Sequence, residues 1–295
     1  MNKRSDVSLE IAADAASVFA ALTESSALEG WFAEHAEVSR ESGRFAFWGK
    51  HTPGNPDREE GGGHLLGWKQ DAELSFEWRT RGVPGVVSLT LAPTLAGTLV
   101  TVRHEYQQQD GSDVYLDGAW SLPLLNLRSW VETGNVALRP DYSAVPSGEL
   151  RLTVEAQATP ATVFNALLDP ALLSRWMMAP SPTVEPEIGG PYDLGWPEGD
   201  GRPLKITDIA QDSRLAYSWD DRQAPATVVS WELEGSDGAT RITLIHSGFD
   251  DSTRLDDYFG GWADFLVRLV GLCEGGPNWT APAWSASQTV AEAQK

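Results

Sequence analysis

The pattern of apolar positions changes period along the chain. Leu215, Tyr217 and Trp219 alternate with Ala216, Ser218 and Asp220, and Val229, Trp231 and Leu233 alternate with Ser230 and Glu232. A period of two puts one set of side chains on a single face, so these segments predict strands buried on one side. Further strands are predicted at 150–155, 192–196, 204–209 and 240–246, the last entered through the turn Ser236-Asp237-Gly238. Two short helices follow the first of these strands. Thr159 caps one that has Pro160 in its first turn, and Asp169-Pro170 starts another that ends near Trp176. After the strands the period lengthens. Trp262, Phe265, Leu266, Leu269, Val270 and Cys273 fall at i, i+3, i+4, i+7, i+8 and i+11, which predicts an amphipathic helix over 251–274 closed by Gly275.

A sheet with one apolar face and a helix with one apolar stripe must cover each other. At about 25 cal/mol per Å² of apolar surface, leaving those faces in water would cost more than the net stability of a domain. The expected fold class is therefore α+β, a curved antiparallel sheet wrapped around a long C-terminal helix.

The chain carries this pattern twice. Ser17-Val18-Phe19-Ala20-Ala21-Leu22 through Trp31 recurs as Thr162-Val163-Phe164-Asn165-Ala166-Leu167 through Trp176, at an offset of 145. Leu74–Trp78 recurs as Leu215–Trp219 at 141, and His104 and Trp120 recur as His246 and Trp262 at 142. The drift places insertions in loops and keeps the elements, as tandem domains do. The expected domains are 1–136 and 147–276, with a disordered Ala/Ser/Gln-rich tail at 277–295. The insert 50–62, polar and rich in Pro and Gly, reads as a disordered loop or a mobile lid. Pro123 would break the interior of a helix, so the gripping helix of the first copy is expected to be kinked or to restart there, with Ser121 as its cap.

Composition narrows the function classes. The 295 residues carry 22 basic against 42 acidic side chains, a net charge of −20. A surface this acidic repels phosphate backbones and anionic lipids, so neither nucleic acid nor a membrane is an expected partner. The N-terminal stretch has no apolar run behind Lys3 and Arg4, and the single cysteine, Cys273, falls on the apolar stripe of a helix; a cytoplasmic protein with a structural thiol is expected.

The residues Val163–Leu167, Leu173–Trp176 and Val184-Glu185-Pro186-Glu187-Ile188-Gly189-Gly190 resemble the SRPBCC (START-like) superfamily. Within it, Ile245-His246-Ser247-Gly248-Phe249 and Gly261–Leu266 are similar to the homologues of the heat-shock-protein-90 ATPase activator. The first copy keeps the frame and departs in detail, with Gly43-Arg44-Phe45 for the Gly-Gly turn and His104-Glu105-Tyr106 for His-Ser-Gly-Phe. The resemblance implies tandem helix-grip domains, each with a cavity between sheet and helix. Members of the superfamily bind hydrophobic ligands, cyclise polyketides or act as interaction modules, so the fold leaves the activity open.

No zinc-protease, Cys-x-x-Cys, Walker or nucleophile-elbow signature is present, and no catalytic residue, metal site or cofactor is expected. The five histidines share no metal-ligand spacing. Strand parity points His104 and His246 toward the core. The plain reading is a hydrogen-bonded structural histidine; the sharper one is a polar anchor for a ligand or an acid/base group. Aromatic residues line most apolar pockets. The candidate ligand-binding set is thus Trp31, Trp78, His104 and Trp120 in the first copy, with Trp176, Trp219, Trp231, His246, Trp262 and Phe265 in the second. Leu89 stands where the second copy has Trp231, so two pockets would differ in volume. The expected function is noncatalytic binding of a small hydrophobic molecule. The alternatives are a chaperone-linked protein-interaction module, and a cyclase- or hydrolase-type enzyme using a pocket histidine.

Overall fold

The computed structural model describes residues 2–107, 119–144, 147–196, 204–219, 227–250, 253 and 255–289. The chain divides into two units, Met1–Ala144 together with Pro282–Lys295, and Val145–Ala281. Each repeats one order of elements: a strand, two short helices, an antiparallel sheet and a longer helix.

In the first unit these are β1 (Asn2–Ile11), α1 (Ala15–Thr23), α2 (Ser25–Trp31), β2 (His35–Ser39), β3 (Arg44–Trp48), β4 (Leu65–Lys69), β5 (Glu73–Thr80), β6 (Val83–Pro93), β7 (Thr98–Gln107) and α3 (Ser121–Thr133). The second has β8 (Glu149–Ala156), α4 (Pro160–Leu168), α5 (Pro170–Trp176), β9 (Thr183–Val184), β10 (Pro191–Asp193), β11 (Leu204–Ala210), β12 (Arg214–Trp219), β13 (Thr227–Ser236), β14 (Ala239–Ser247) and α6 (Asp256–Gly275). A last strand, β15 (Ala283–Thr289), returns to the first unit.

The second unit has one seven-stranded antiparallel sheet in the order β8-β14-β13-β12-β11-β10-β9. In the first unit the corresponding strands separate into the sheet β15-β1-β7-β6-β5-β4 and the pair β2-β3, bridged at Arg44 and His64. The break falls at the insert. Period-two burial sets both inner faces: Leu150, Leu152 and Val154 on β8 and Val229, Trp231 and Leu233 on β13 are buried, as are Val100, Val102 and His104 on β7. Across these faces lie the gripping helices, with Leu124, Leu125 and Leu127 of α3 and Trp262, Leu266, Leu269 and Val270 of α6 buried. Among the described residues, no helix is long and apolar enough to cross a membrane.

Local chemistry explains the element ends. The Thr159 hydroxyl accepts from the Thr162 amide at 3.2 Å and the Asp169 carboxylate from the Ala171 amide at 2.8 Å, each ahead of a proline at the first helical position. Helix α3 starts at Ser121, after Trp120, so Pro123 sits in the first turn, where its missing N–H breaks no helical bond. No kink is needed inside α3. The residues before it that the expected kink would involve, 108–118, lie outside the described residues.

Four expectations change. Helix α6 begins at Asp256 and runs through Gly275, with Gly276 at φ +58 taking the terminal turn. It is also buried beyond the apolar stripe, with Arg268 wholly inside and its Nε donating to Asp264 Oδ2 at 2.7 Å one turn earlier. That paired carboxylate offsets the cost of burying the guanidinium.

The insert 50–62 is neither disordered nor a lid but a series of tight turns. The Lys50 amide donates to Glu34 Oε2 at 2.9 Å, His51 Nδ1 meets the Pro140 carbonyl at 2.9 Å, and Thr52 is buried. Its glycines and prolines supply turn geometry, such as φ +86 at Gly54, and not freedom.

The tail 277–295 is not disordered over 283–289, where it pairs antiparallel with β1. Pairing along a strand edge uses backbone groups, so an Ala/Ser/Gln composition is no obstacle. Before it, Arg175 Nη2 donates to the carbonyls of Gly276, Pro277 and Trp279 at 3.0, 3.2 and 2.7 Å, and holds the exit from α6.

Candidate functional site

Sheet register assembles a polar chain in the second unit. Val229 pairs with His246 and Trp219 with Thr227, so the His246 ring lies on the inner face next to the Thr227 side chain. The Trp262 Nε1–H, coming from α6, donates to His246 Nδ1 at 3.0 Å. An indole nitrogen can only donate, so Nδ1 accepts and the neutral ring carries its proton on Nε2. Nε2 then donates to Thr227 Oγ1 at 2.8 Å, and the Thr227 hydroxyl donates to the Trp219 carbonyl at 3.1 Å. Both imidazole nitrogens are engaged in tying the helix to the sheet. This is the plain, structural role for His246.

Around that chain the aromatic rings form a floor and a rim. Trp176, Trp231 and Trp262 are buried, and their rings meet at 5.8–5.9 Å in edge-to-face contacts. Polar ends are met locally. The Trp176 indole donates to the Ala166 carbonyl at 2.9 Å, the Trp231 indole to the Tyr217 hydroxyl at 3.3 Å, and the Tyr192 hydroxyl to the Leu167 carbonyl at 2.8 Å. Burial pushes both phenols up, so neither is a proton acceptor near neutral pH. Three further rings are only half-buried. Trp196 meets Trp219 at 5.8 Å and lies nearly parallel to Phe265 at 6.3 Å, and both Trp219 and Phe265 rest on Trp262.

The first unit repeats the frame with other side chains. Trp31 donates to the Ala21 carbonyl at 2.9 Å, the counterpart of the Trp176 bond. His104 is wholly buried, lies over Trp78 at 5.6 Å, and accepts at Nδ1 from the Trp120 indole at 3.4 Å. Trp78 pairs with Gly85 where Trp219 pairs with Thr227. Glycine offers no hydroxyl, and among the described residues His104 Nε2 has no hydrogen-bond partner. Burial lowers the His104 pKa to about 4, which keeps the ring neutral. Phe32 fills the middle of this unit, in contact with Trp31, Phe47, Trp78 and Trp120 at 4.8–6.2 Å.

The structure thus brings the ten expected residues together as two separate sets of inner-face or helix residues. Sequence reasoning missed Thr227, Gly85, Phe32 and Trp196. Aligning Gly85 with Thr227 would have exposed the first two, because both precede a Val-Val pair. Among the described residues no cluster of three His, Cys, Asp or Glu could hold a metal. The Cys273 thiol is half-buried and pushed up to about 12, chiefly by burial, so it is no nucleophile near neutral pH.

The family model described as Activator of Hsp90 ATPase homolog 1-like protein matches residues 12–132 and again 157–274. No curated protein matches the sequence. Among solved structures, DynU16 of the dynemicin biosynthetic locus is 17% identical, covers 92% of this chain and 98% of its own, and gives a TM-score of 0.35. The Aha1 dimer from Colwellia psychrerythraea is 20% identical over 44% of this chain and 98% of its own, with a TM-score of 0.38. PFC0360w, an HSP90 activator from Plasmodium falciparum, is 21% identical over 39% of this chain and 86% of its own, with a TM-score of 0.34.

Proposed function

This chain belongs, in each of its halves, to the Activator of Hsp90 ATPase homolog 1-like family, and from that premise we propose that it is a noncatalytic binding protein whose second unit holds a small hydrophobic molecule. The observation that carries the reading is the half-buried rim of Trp196, Trp219 and Phe265 standing on the buried floor of Trp262. Partly exposed rings gain by being covered, at about 25 cal/mol per Å² of apolar surface removed from water. The engaged nitrogens of His246 support binding over acid/base chemistry, since a general base needs a free lone pair directed at substrate.

The test uses the neutral fluorescent probe N-phenyl-1-naphthylamine. Saturable binding should weaken about tenfold in Trp219→Ala, a loss of one aromatic contact face. Leu95→Ala, at a fully exposed loop residue of the first unit outside either aromatic cluster, should leave it unchanged. Equal affinity in wild type and Trp219→Ala would defeat the reading.

A second reading, that the paired units act on an Hsp90-type chaperone, is favoured by the family match over both segments. It expects the chain to raise that chaperone's ATPase rate, with an effect that fades as salt screens a net charge of −20.

A further inference from the structure

We infer that the first unit has a binding site of its own, distinct from the rim of the second, which takes a flat apolar molecule bearing a neutral hydrogen-bond acceptor such as a ketone or amide carbonyl. A recess of about 530 Å³ opens at the ends of β5, β6 and β7, and Trp78, Gly85 and Tyr106 are among the residues lining it. Those three also surround the buried imidazole. Trp78 and Tyr106 lie 5.6 and 5.5 Å from the His104 ring, and a Cβ placed on Gly85 would sit 2.5 Å from Nε2. Gly85 therefore touches the recess on one side and the histidine on the other, with no side chain between.

The donor at that point is unspent. The Trp120 indole takes Nδ1, so the proton is on Nε2, and among the described residues Nε2 meets no acceptor although the residue is wholly buried. One step along the same face, on the other side of Gly85, the buried Thr80 hydroxyl also has no partner. Native interiors leave few such groups, and each costs about 1–3 kcal/mol until an acceptor arrives. The second unit shows the same frame without this feature, because Thr227 supplies the acceptor itself. Trp78 and Tyr106, which border the recess, and the N–H buried behind Gly85 define the ligand: a planar apolar body whose carbonyl reaches Nε2 past the side-chain-free Gly85. Neither side selects a net charge. Glu77 and Glu105 line the recess with Arg79 and Lys3, and the donor is a neutral ring.

The experiment uses the full chain and two probes of similar shape, acetophenone and isopropylbenzene, followed by the imidazole ¹⁵N and ¹H resonances of His104 and His246. Acetophenone should saturate and shift the His104 Nε2 signal while His246 stays still. It should bind about three- to tenfold tighter than isopropylbenzene, the share of one net hydrogen bond. His104→Phe keeps a ring in place without the donor and should erase that preference. Gly85→Thr, which copies the second unit, should abolish the shift. An unmoved His104 signal at saturating acetophenone, equal affinity for the two probes, or a preference that survives His104→Phe would each overturn the assignment. Because the readout is His104 alone, its failure leaves the rim of the second unit untouched.

Discussion

The two units solve one packing problem with different chemistry, and the differences come in matched sets. Tyr192 and Tyr217 stack at 4.2 Å in the second unit, and Phe45 and Phe76 stack at 4.3 Å in the first. Where the hydroxyls are present, Trp231 donates to Tyr217; where they are absent, Leu89 replaces the indole and needs no acceptor. An interior tolerates a polar atom only with its partner, so donor and acceptor come and go together. The histidine breaks this rule. Its partner was kept as Thr227 in one unit and replaced by Gly85 in the other, with the donor left behind. Matched sets are structure; the unmatched donor is where a ligand has something to add.

The largest effect should come from copying the first unit into the second. Trp231→Leu removes a wholly buried indole and takes one hydrogen-bond partner from the Tyr217 hydroxyl, and should cost the second unit about 3–5 kcal/mol. Adding Tyr217→Phe should cost less than its effect alone, because the hydroxyl has already lost the indole as a donor. Hydrogen exchange of β13 amides in urea reads the unit separately, as a two-domain chain requires. Strict additivity of the two changes would show that the indole and phenol are not one set.

A smaller effect follows the His104 ring with pH. His104 titrates near 6.5 when unfolded and at about 4 when folded, so the unfolded chain binds the proton first. The neutral ring's contribution is complete above pH 6.5 and drains as pH falls through the folded value, approaching about 3 kcal/mol over that window. Denaturation of the first unit at pH 7, 5.5 and 4.5 should show wild type losing stability faster than His104→Phe. Parallel profiles would mean that the ring is not held neutral and that the contrast between the units is weaker than the geometry suggests.

Much of the fold was legible because it rests on periodicity. Alternation placed Leu215, Tyr217, Val229, Trp231 and His246 on the inner face, the apolar stripe from Trp262 found the second gripping helix, and the match of Trp120 to Trp262 found the first. The contents of the candidate site were less legible, since they depend on what stands opposite. Parity turns His246 inward, but only the register Val229–His246 and Trp219–Thr227 shows that a threonine hydroxyl meets it. The insert and the tail were misjudged for one reason: composition was read as freedom. In both segments the order comes from backbone hydrogen bonds, which leave no trace in apolar patterning.

The smallest effect concerns the sheet edges. In the first unit β1 has β15 outside it, whereas its counterpart β8 is the terminal strand of the second sheet. Ending the chain after Ala281 would expose the outer backbone groups of β1 while leaving its pairing with β7 intact. Each recovered hydrogen bond is worth about 0.5–1.5 kcal/mol net, against about 1–2 kcal/mol of backbone entropy for every tail residue that is ordered. The two nearly cancel, so the truncation should change global stability by less than about 1 kcal/mol. Local protection is another matter. The β1 amides directed at β15 should exchange faster in the truncated chain, at rates like those of the outward amides of β8, and those directed at β7 should be unchanged. If the outward β1 amides exchange equally fast with and without the tail, the strand addition does not persist in solution, and the two units share the same bare edge.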